Sequence, residues 1–266
     1  MSVACVTGAS SGIGKAFARQ LYSEGWSLVL VARSEEKLNA LAEELTGARP
    51  GTLGGADTLS STVDVFSCDL SREDECLRLC DHLRDIPDLR LLINNAGIGG
   101  VGRHDEMDRD RQLQMIRLNV EAVEILCREI IPQMEKTGGG QVLNVASSAG
   151  LLKGGPYMAT YYATKAYVVS LTSSISTELK ERRSTVSISA LCPGPVDTNF
   201  NESAGVRSSL PGITPEYCAR FALKKLKRKK LIIVPGPQRW GIPFYNILPR
   251  RLQLRITGTG QKSKMR

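Results

Sequence analysis

Short apolar runs alternate with longer amphipathic segments along nearly the whole chain, and this alternation is the strongest constraint on the fold. The runs with strand character are 3–6, 27–31, 63–68, 89–93, 141–146, 186–191 and 231–234. The segments between them carry apolar residues at helical spacing, as in 12–24 and 35–45. Strands that alternate with helices form parallel βαβ units. We therefore predict a single doubly wound α/β domain, with a parallel seven-stranded sheet and helices on both of its faces.

The composition excludes several other classes of protein. The chain has 266 residues, of which 42% are hydrophobic and 23% charged, so it is neither disordered nor fibrous. Seven cysteines are too few for a disulfide scaffold, and no Cys and His set has the spacing of zinc ligands, so we expect free thiols and no metal. No apolar run approaches the ~20 residues of a membrane span, and we expect no secretory signal before the first strand. We expect a cytoplasmic location, with peripheral contact to a membrane as the alternative.

A glycine-rich turn joins the first strand to the first helix, with the sequence Thr7-Gly8-Ala9-Ser10-Ser11-Gly12-Ile13-Gly14. Small residues let the backbone approach a pyrophosphate closely, and a helix N-terminus offers unpaired N–H groups to it. A purely structural turn is the alternative. The position between strand one and helix one favours a nucleotide site.

Further motifs follow the turn in a fixed order. They are Asn94-Asn95-Ala96-Gly97, Leu118-Asn119-Val120, Tyr161-Tyr162-Ala163-Thr164-Lys165 and Pro193-Gly194-Pro195-Val196-Asp197-Thr198. Together with the TGxxxGxG turn, these motifs resemble the short-chain dehydrogenase/reductase family from about residue 3 to about residue 235. The resemblance implies a Rossmann-like catalytic domain that binds NADP over residues 1–235, with a basic C-terminal extension of the same domain over 236–266.

The resemblance also implies a set of residues that hold the nicotinamide cofactor. They are Gly8, Ser10, Ser11, Gly12, Ile13, Gly14, Arg33, Asp69, Leu70, Asn95, Ala96, Gly97, Asn119, Tyr161, Lys165, Pro193, Gly194, Val196 and Thr198. The acidic residue that selects NAD is missing after the second strand, where Arg33 stands nineteen residues after Gly14. Because a guanidinium suits a 2′-phosphate, we predict NADP(H). Alternatively, Arg33 stacks on adenine while NAD binds, and Asp69 caps a helix.

Tyr161 and Lys165 lie four residues apart on a predicted helix and therefore share a face. A nearby ammonium favours the phenolate, which would lower the pKa of Tyr161 towards the range of a general acid/base. Ser148, thirteen residues before Tyr161, would hydrogen-bond the substrate oxygen. By resemblance, Asn119 holds a water for proton relay. A surface pair is the alternative for Tyr161 and Lys165, and Tyr157 and Tyr162 are alternative tyrosines.

These residues predict NADPH-dependent reduction of a small ketone or aldehyde to an alcohol, a reversible reaction, by a homodimer or homotetramer. Two alternatives stay open. One is a regulatory protein that senses NADP(H) without catalysis. The other is a membrane-associated reductase of a lipid carbonyl, such as a 3-keto-acyl or steroid-like compound.

The basic character of the chain is confined to its C-terminal part. Residues 220–266 hold 14 Lys and Arg and no Asp or Glu, whereas the rest holds 21 basic and 27 acidic residues. We expect no nucleic-acid binding. In the segment 236–256, arginines interleave with apolar residues, which favours a subunit contact or pocket rim, with an anionic membrane surface as the alternative. We also predict a mobile loop over 46–62, a lid over 198–213 and a frayed end over 258–266.

Overall fold

The computed structural model describes residues 2–47, 61–200, 204–206, 212–263 and 265, and these contain one seven-stranded sheet. The strands are β1 (Val3–Thr7), β2 (Ser27–Ala32), β3 (Val63–Ser67), β4 (Leu89–Asn94), β5 (Gly140–Val145), β6 (Val186–Leu191) and β7 (Ile232–Ile233). All neighbours pair in parallel, in the order β3-β2-β1-β4-β5-β6-β7. The predicted doubly wound, Rossmann-like sheet is confirmed.

Helices cover both faces of the sheet. They are α1 (Gly12–Ser23), α2 (Glu35–Gly47), α3 (Glu73–Arg84), α4 (Arg109–Ile116), α5 (Ala122–Lys136), α6 (Ala159–Glu181), α7 (Pro215–Leu226), α8 (Gln238–Ile247) and α9 (Arg250–Ser263). Helices α1, α2 and α7 pack on one face, and α3, α5 and α6 on the other. In β1, Ala4 and Val6 belong to the first layer and Cys5 to the second, so the strand is buried on both faces.

The predicted helix over 108–135 is continuous but not uniform. Between α4 and α5, the segment Arg117–Glu121 is π-helical. A π-helical turn places one extra residue in the helix, and such turns often occur at functional sites. Asn119 lies in this segment and is fully buried.

The C-terminal segment differs from the prediction. A frayed end was predicted over 258–266, but the chain is helical as far as Ser263. Helix α9 packs on the domain there: Gly258 lies against Pro156, and the Gln261 amide donates to the Tyr162 hydroxyl at 2.6 Å. Nearly all of the predicted loop over 46–62 and half of the lid over 198–213 lie outside the described residues. In the part of the chain that is described, no helix is both long enough and apolar enough to cross a bilayer.

Candidate active site

A cavity of about 850 Å³ opens at the carboxyl ends of the strands, around the point where the strand order reverses between β1 and β4. Its walls include most of the residues predicted from the sequence. These are Gly8, Ser10, Ser11, Gly12, Ile13, Arg33, Asp69, Leu70, Asn95, Ala96, Gly97, Ser148, Tyr161, Lys165, Pro193, Gly194, Val196 and Thr198. Gly14 and Asn119 do not line the cavity, but they contact residues that do, Gly8 and Ile98 respectively.

The glycine turn is built for close backbone contact. Gly8 has φ of +66°, a conformation that favours glycine, and a Cβ on Gly14 would lie 2.1 Å from the Gly8 carbonyl oxygen. Helix α1 begins at Gly12, its Ser11 cap makes no side-chain hydrogen bond, and its first turn holds no acidic residue. Nothing within α1 therefore competes for its N-terminal N–H groups, and the turn fits a dinucleotide pyrophosphate.

Thr7 holds the Asn-Asn-Ala-Gly segment against this turn. Its hydroxyl accepts from the backbone N–H groups of Asn95 at 2.9 Å and Ala96 at 3.0 Å. In return, the Asn95 side chain donates to the Thr7 carbonyl at 2.9 Å. Asn95 therefore positions the turn as well as lining the cavity. The sequence showed both motifs but not this bond between them.

Basic side chains gather where β2 ends. Arg33, Lys37 and Arg111 all line the cavity, and only Arg33 was predicted. Burial, and next the neighbouring Arg33 guanidinium, lower the pKa of Arg111. Arg111 also donates to the Gly99 carbonyl at 3.0 Å. Three basic side chains lining one cavity favour the binding of an anion there. On the same wall, Asp69 accepts from the Ser71 N–H at 3.0 Å, so it caps the local turn while facing the cavity.

Asn119 supports the centre of the cavity from behind. Its side chain accepts from the Ile98 N–H at 3.0 Å and donates to the Ile98 carbonyl at 2.9 Å and to Thr164 at 3.2 Å. A Cβ on Gly97 would approach the Asn119 Oδ1 to 3.1 Å and the Lys165 Nζ to 3.3 Å. The π-helical segment thus ties the Asn-Asn-Ala-Gly loop to helix α6, and Gly97 leaves room for both side chains.

Lys165 is a buried cation. Its Nζ donates to the Val145 carbonyl at the end of β5, at 2.8 Å. Burial lowers the pKa of this ammonium to about 8. A second buried bond holds the same helix, since Asn144 on β5 donates to Thr172 at 2.9 Å. Strand β5 therefore fixes the position of α6 and, with it, Tyr161 and Lys165.

Two adjacent serines line the cavity together with Tyr161, the predicted Ser148 and Ser147 before it. Of the two, Ser147 is the one whose side chain lowers the pKa of Tyr161 through a hydrogen bond. Ser147 is extended and caps the 3₁₀ turn Ser148–Leu151, accepting from the Ala149 N–H at 3.1 Å.

The acidity of Tyr161 also differs from the expectation. Burial raises its pKa, and the hydrogen bond from Ser147 opposes that rise. The Lys165 ammonium donates its hydrogen bond to the Val145 carbonyl and not to Tyr161. In this arrangement Tyr161 is a neutral phenol at physiological pH, which suits a proton donor.

The two alternative tyrosines have other surroundings. Burial raises the pKa of Tyr162 to about 12, and its hydroxyl is bonded to Gln261. Tyr157 precedes α6 with a strained φ of +66° and does not line the cavity. Tyr162 lines the cavity as well, but its hydroxyl is bonded to Gln261, which leaves Tyr161 as the candidate beside Ser147 and Lys165.

Comparison with known proteins agrees with this geometry. The model of the short chain dehydrogenase family matches residues 2–207. The chain belongs to the short-chain dehydrogenase/reductase family. It is accordingly an oxidoreductase with a nucleotide-binding fold.

Similar proteins of this family act on different substrates and hold different cofactors. The chain is 31% identical to a 3beta-hydroxysteroid dehydrogenase of Mediterraneibacter gnavus. That match covers 79% of this chain and 72% of the Mediterraneibacter protein. The chain is also 33% identical to a 3-oxoacyl-[acyl-carrier-protein] reductase of Rickettsia bellii. That match covers 75% of this chain and 74% of the Rickettsia protein. A short-chain dehydrogenase of Sphingobium yanoikuyae in complex with NADPH has a TM-score of 0.79 at 28% identity, with 91% of each chain covered. A short-chain dehydrogenase/reductase from Burkholderia phymatum in complex with NAD has a TM-score of 0.78 at 27% sequence identity, with 90% of each chain covered.

Proposed function

We propose that this short-chain dehydrogenase reduces a ketone or aldehyde to an alcohol with NADPH, and that Tyr161 donates the proton. The observation that carries the proposal is the meeting of Ser147, Tyr161 and Lys165 in the cavity that the glycine turn also lines. A protein that only senses the nucleotide has no use for a proton donor and a hydroxyl donor beside it. For that reason we place the sensing alternative second.

The residues of the chain divide the work of the reaction. When bound, the nicotinamide supplies the hydride. The Ser147 hydroxyl holds the carbonyl oxygen, and Tyr161 gives that oxygen its proton as negative charge develops on it. Lys165, a cation below a pH of about 8, stabilises the phenolate that remains. Asn119 keeps the loop at Ile98 in place behind them.

The two adjacent serines allow a matched test of this assignment. We expect Ser147→Ala to lower kcat/KM about 100-fold, the typical effect of losing one donor to a developing oxyanion. Ser148→Ala, which also lines the cavity, should change it less than about 3-fold, because its side chain is not the one bonded to Tyr161. Steady-state kinetics of both variants measure the difference. A larger loss in Ser148→Ala would restore the assignment by spacing.

The preference for NADPH rests on Arg33, supported by Lys37 and Arg111 in the same wall. Losing a charge-assisted bond to the 2′-phosphate costs roughly 2 kcal/mol, so we expect Arg33→Ala to lower kcat/KM for NADPH about 30-fold. The value for NADH should change less than about 3-fold, because NADH has no 2′-phosphate. Arg72→Ala is the control, since Arg72 is exposed and pairs with Asp74 outside the cavity. Equal losses with both cofactors would mean that Arg33 binds only their common part.

The substrate we propose has a lipid-like body. The cavity wall includes the apolar or aromatic side chains of Met158, Tyr162, Phe200 and Val206, and the first three pack beside Tyr161. An apolar wall gains binding energy with each buried methylene, about 0.8 kcal/mol. NADPH consumption against ketones and aldehydes of increasing chain length, with NADH in parallel, tests the function. Tight NADPH binding with no turnover on any carbonyl would favour the sensing alternative.

We also propose that the protein assembles with itself. Leu113 and Ile116 on α4 and Tyr167 on α6 are large and apolar, and each is about 40% exposed. Exposed apolar side chains on neighbouring helices favour a contact between subunits.

A further inference from the structure

Helix α9 packs with its polar side inwards. Its buried residues are Gln253, Thr257, Gly258 and Gln261, whereas Leu252 and Ile256, one turn apart, are 43% and 48% exposed. A surface helix of a globular protein ordinarily directs its apolar stripe at the core. The reversed orientation leaves the Oε1 atoms of Gln253 and Gln261 buried without a hydrogen-bond partner.

Helix α8 exposes a still larger apolar face. Trp240, Phe244 and Ile247 are spaced by four and three residues, and they are 68%, 74% and 80% exposed. The residues of α8 include none that is buried. The Tyr245 hydroxyl, bonded to the Gln253 carbonyl and to Thr257, holds α8 against α9. We refer to Trp240, Phe244, Ile247, Leu252 and Ile256 as the C-terminal apolar face.

The charges beside this face have one sign. Arg239, Arg250, Arg251 and Arg255 are all exposed, and the Arg239 guanidinium lies 5.0 Å from the Trp240 ring centre. Residues 220–266 contain no Asp or Glu that could neutralise them. Exposed tryptophan, phenylalanine and aliphatic side chains bordered by arginines have the chemistry that an anionic lipid headgroup region binds.

We propose that the C-terminal apolar face rests on an anionic membrane surface, with Trp240 and Phe244 inserted at the headgroup level and the arginines paired with lipid phosphates. The proposal does not depend on the reaction that the enzyme catalyses. It gives the reversed helix a physical reason, because a bilayer would bury the apolar residues that the domain leaves exposed.

A second copy of the chain fits this face less well. In a two-fold contact the same patch meets itself, so the arginines of both copies would share one interface to which residues 220–266 bring no carboxylate. Like charges that meet without a carboxylate between them are repelled. An anionic lipid surface has the complementary charge instead.

The docked helix is also part of the cavity wall. Gln261 on the inner side of α9 lines the cavity and donates to Tyr162, which lines it as well. Lipid contact on the outer side of α9 therefore acts on an element one layer from the substrate. A membrane-borne substrate is consistent with this placement, although the contact itself is tested separately from turnover.

The test is co-sedimentation of the full chain with vesicles of phosphatidylcholine, with and without about one third phosphatidylserine. We expect binding to the anionic vesicles, weakened by salt. Trp240→Ser/Phe244→Ser should lower the partition coefficient on the order of 100-fold, through lost apolar burial. Leu77→Ser/Tyr217→Ser is the matched control, because these two residues are exposed and apolar on α3 and α7. It should bind as the wild type does.

A second variant tests the charges alone. Arg250→Gln/Arg251→Gln/Arg255→Gln keeps the apolar residues, and each lost charge should weaken binding about 5-fold. NADPH binding and thermal unfolding of every variant show that it is folded. Equal binding by wild type and Trp240→Ser/Phe244→Ser would overturn the proposal. A second result would also overturn it: the wild type forms an oligomer and binds neither kind of vesicle, and Trp240→Ser/Phe244→Ser no longer forms that oligomer.

Discussion

Tyr161→Phe is expected to lower kcat for carbonyl reduction about 1000-fold, within the range that one positioned proton donor contributes. The substitution keeps the ring, which packs against Phe200 with 5.7 Å between ring centres, and removes only the hydroxyl. Steady-state kinetics with NADPH and a carbonyl that the wild type reduces give the value. NADPH affinity measured by titration should change little.

Tyr162→Phe is the matched control for this experiment. Tyr162 is next in the chain, lines the same cavity and has its hydroxyl bonded to Gln261. Removing this hydroxyl should lower the free energy of unfolding by about 1 kcal/mol and change kcat only a few-fold. If Tyr161→Phe turned over at the wild-type rate, or if Tyr162→Phe were the inactive variant, Tyr161 would not be the proton donor.

The fold and the cofactor end could be predicted because backbone geometry restricts their residues. Only glycine fits at position 14, where a Cβ would meet the Gly8 carbonyl at 2.1 Å. Strands buried on both faces need continuous apolar runs, as in β1 and β2. Constraints of this kind appear in the sequence as motifs at fixed spacing.

The chemical end was less predictable, because loop paths and distant segments decide it. Whether Ser147 or Ser148 faces Tyr161 depends on the route of the loop that leads from the serines to Tyr161. The spacing in the sequence does not show that route. Gln261 reaches the cavity wall from the last helix, 99 residues after Tyr162 in the chain. No local pattern marks Gln261 or Arg111 as cavity residues. The pKa of Tyr161 is raised because the side chain is buried, which spacing cannot show.

The burial of Lys165 has a consequence for the stability of the fold. Its pKa falls from the usual 10.5 to about 8 because the ammonium is buried. The folded protein therefore binds this proton more weakly than the unfolded chain does. The folded state is penalised at every pH below about 8, and the penalty disappears as the pH rises from about 8 to 10.5. The difference between these two pKa values corresponds to a destabilisation of the folded state by roughly 3 kcal/mol.

Lys165→Met should therefore inactivate the enzyme and stabilise it. The variant loses the cation beside Tyr161, and we expect kcat to fall at least about 100-fold. At pH 7 its free energy of unfolding should rise by about 2 kcal/mol, because the bond to the Val145 carbonyl, worth about 1 kcal/mol, is lost as well. Denaturant unfolding measures this difference, which should shrink as the pH is raised towards 10.5.

The control for this last prediction is Lys153→Met. Lys153 also donates to a backbone carbonyl, that of Asn246 at 3.2 Å, but it does so from an exposed position. Its substitution should change the free energy of unfolding by less than about 0.5 kcal/mol at either pH. A Lys165→Met variant that is less stable than the wild type at pH 7 would show that the buried ammonium is compensated in the fold. Lys165 would then be a structural residue as well as a catalytic one.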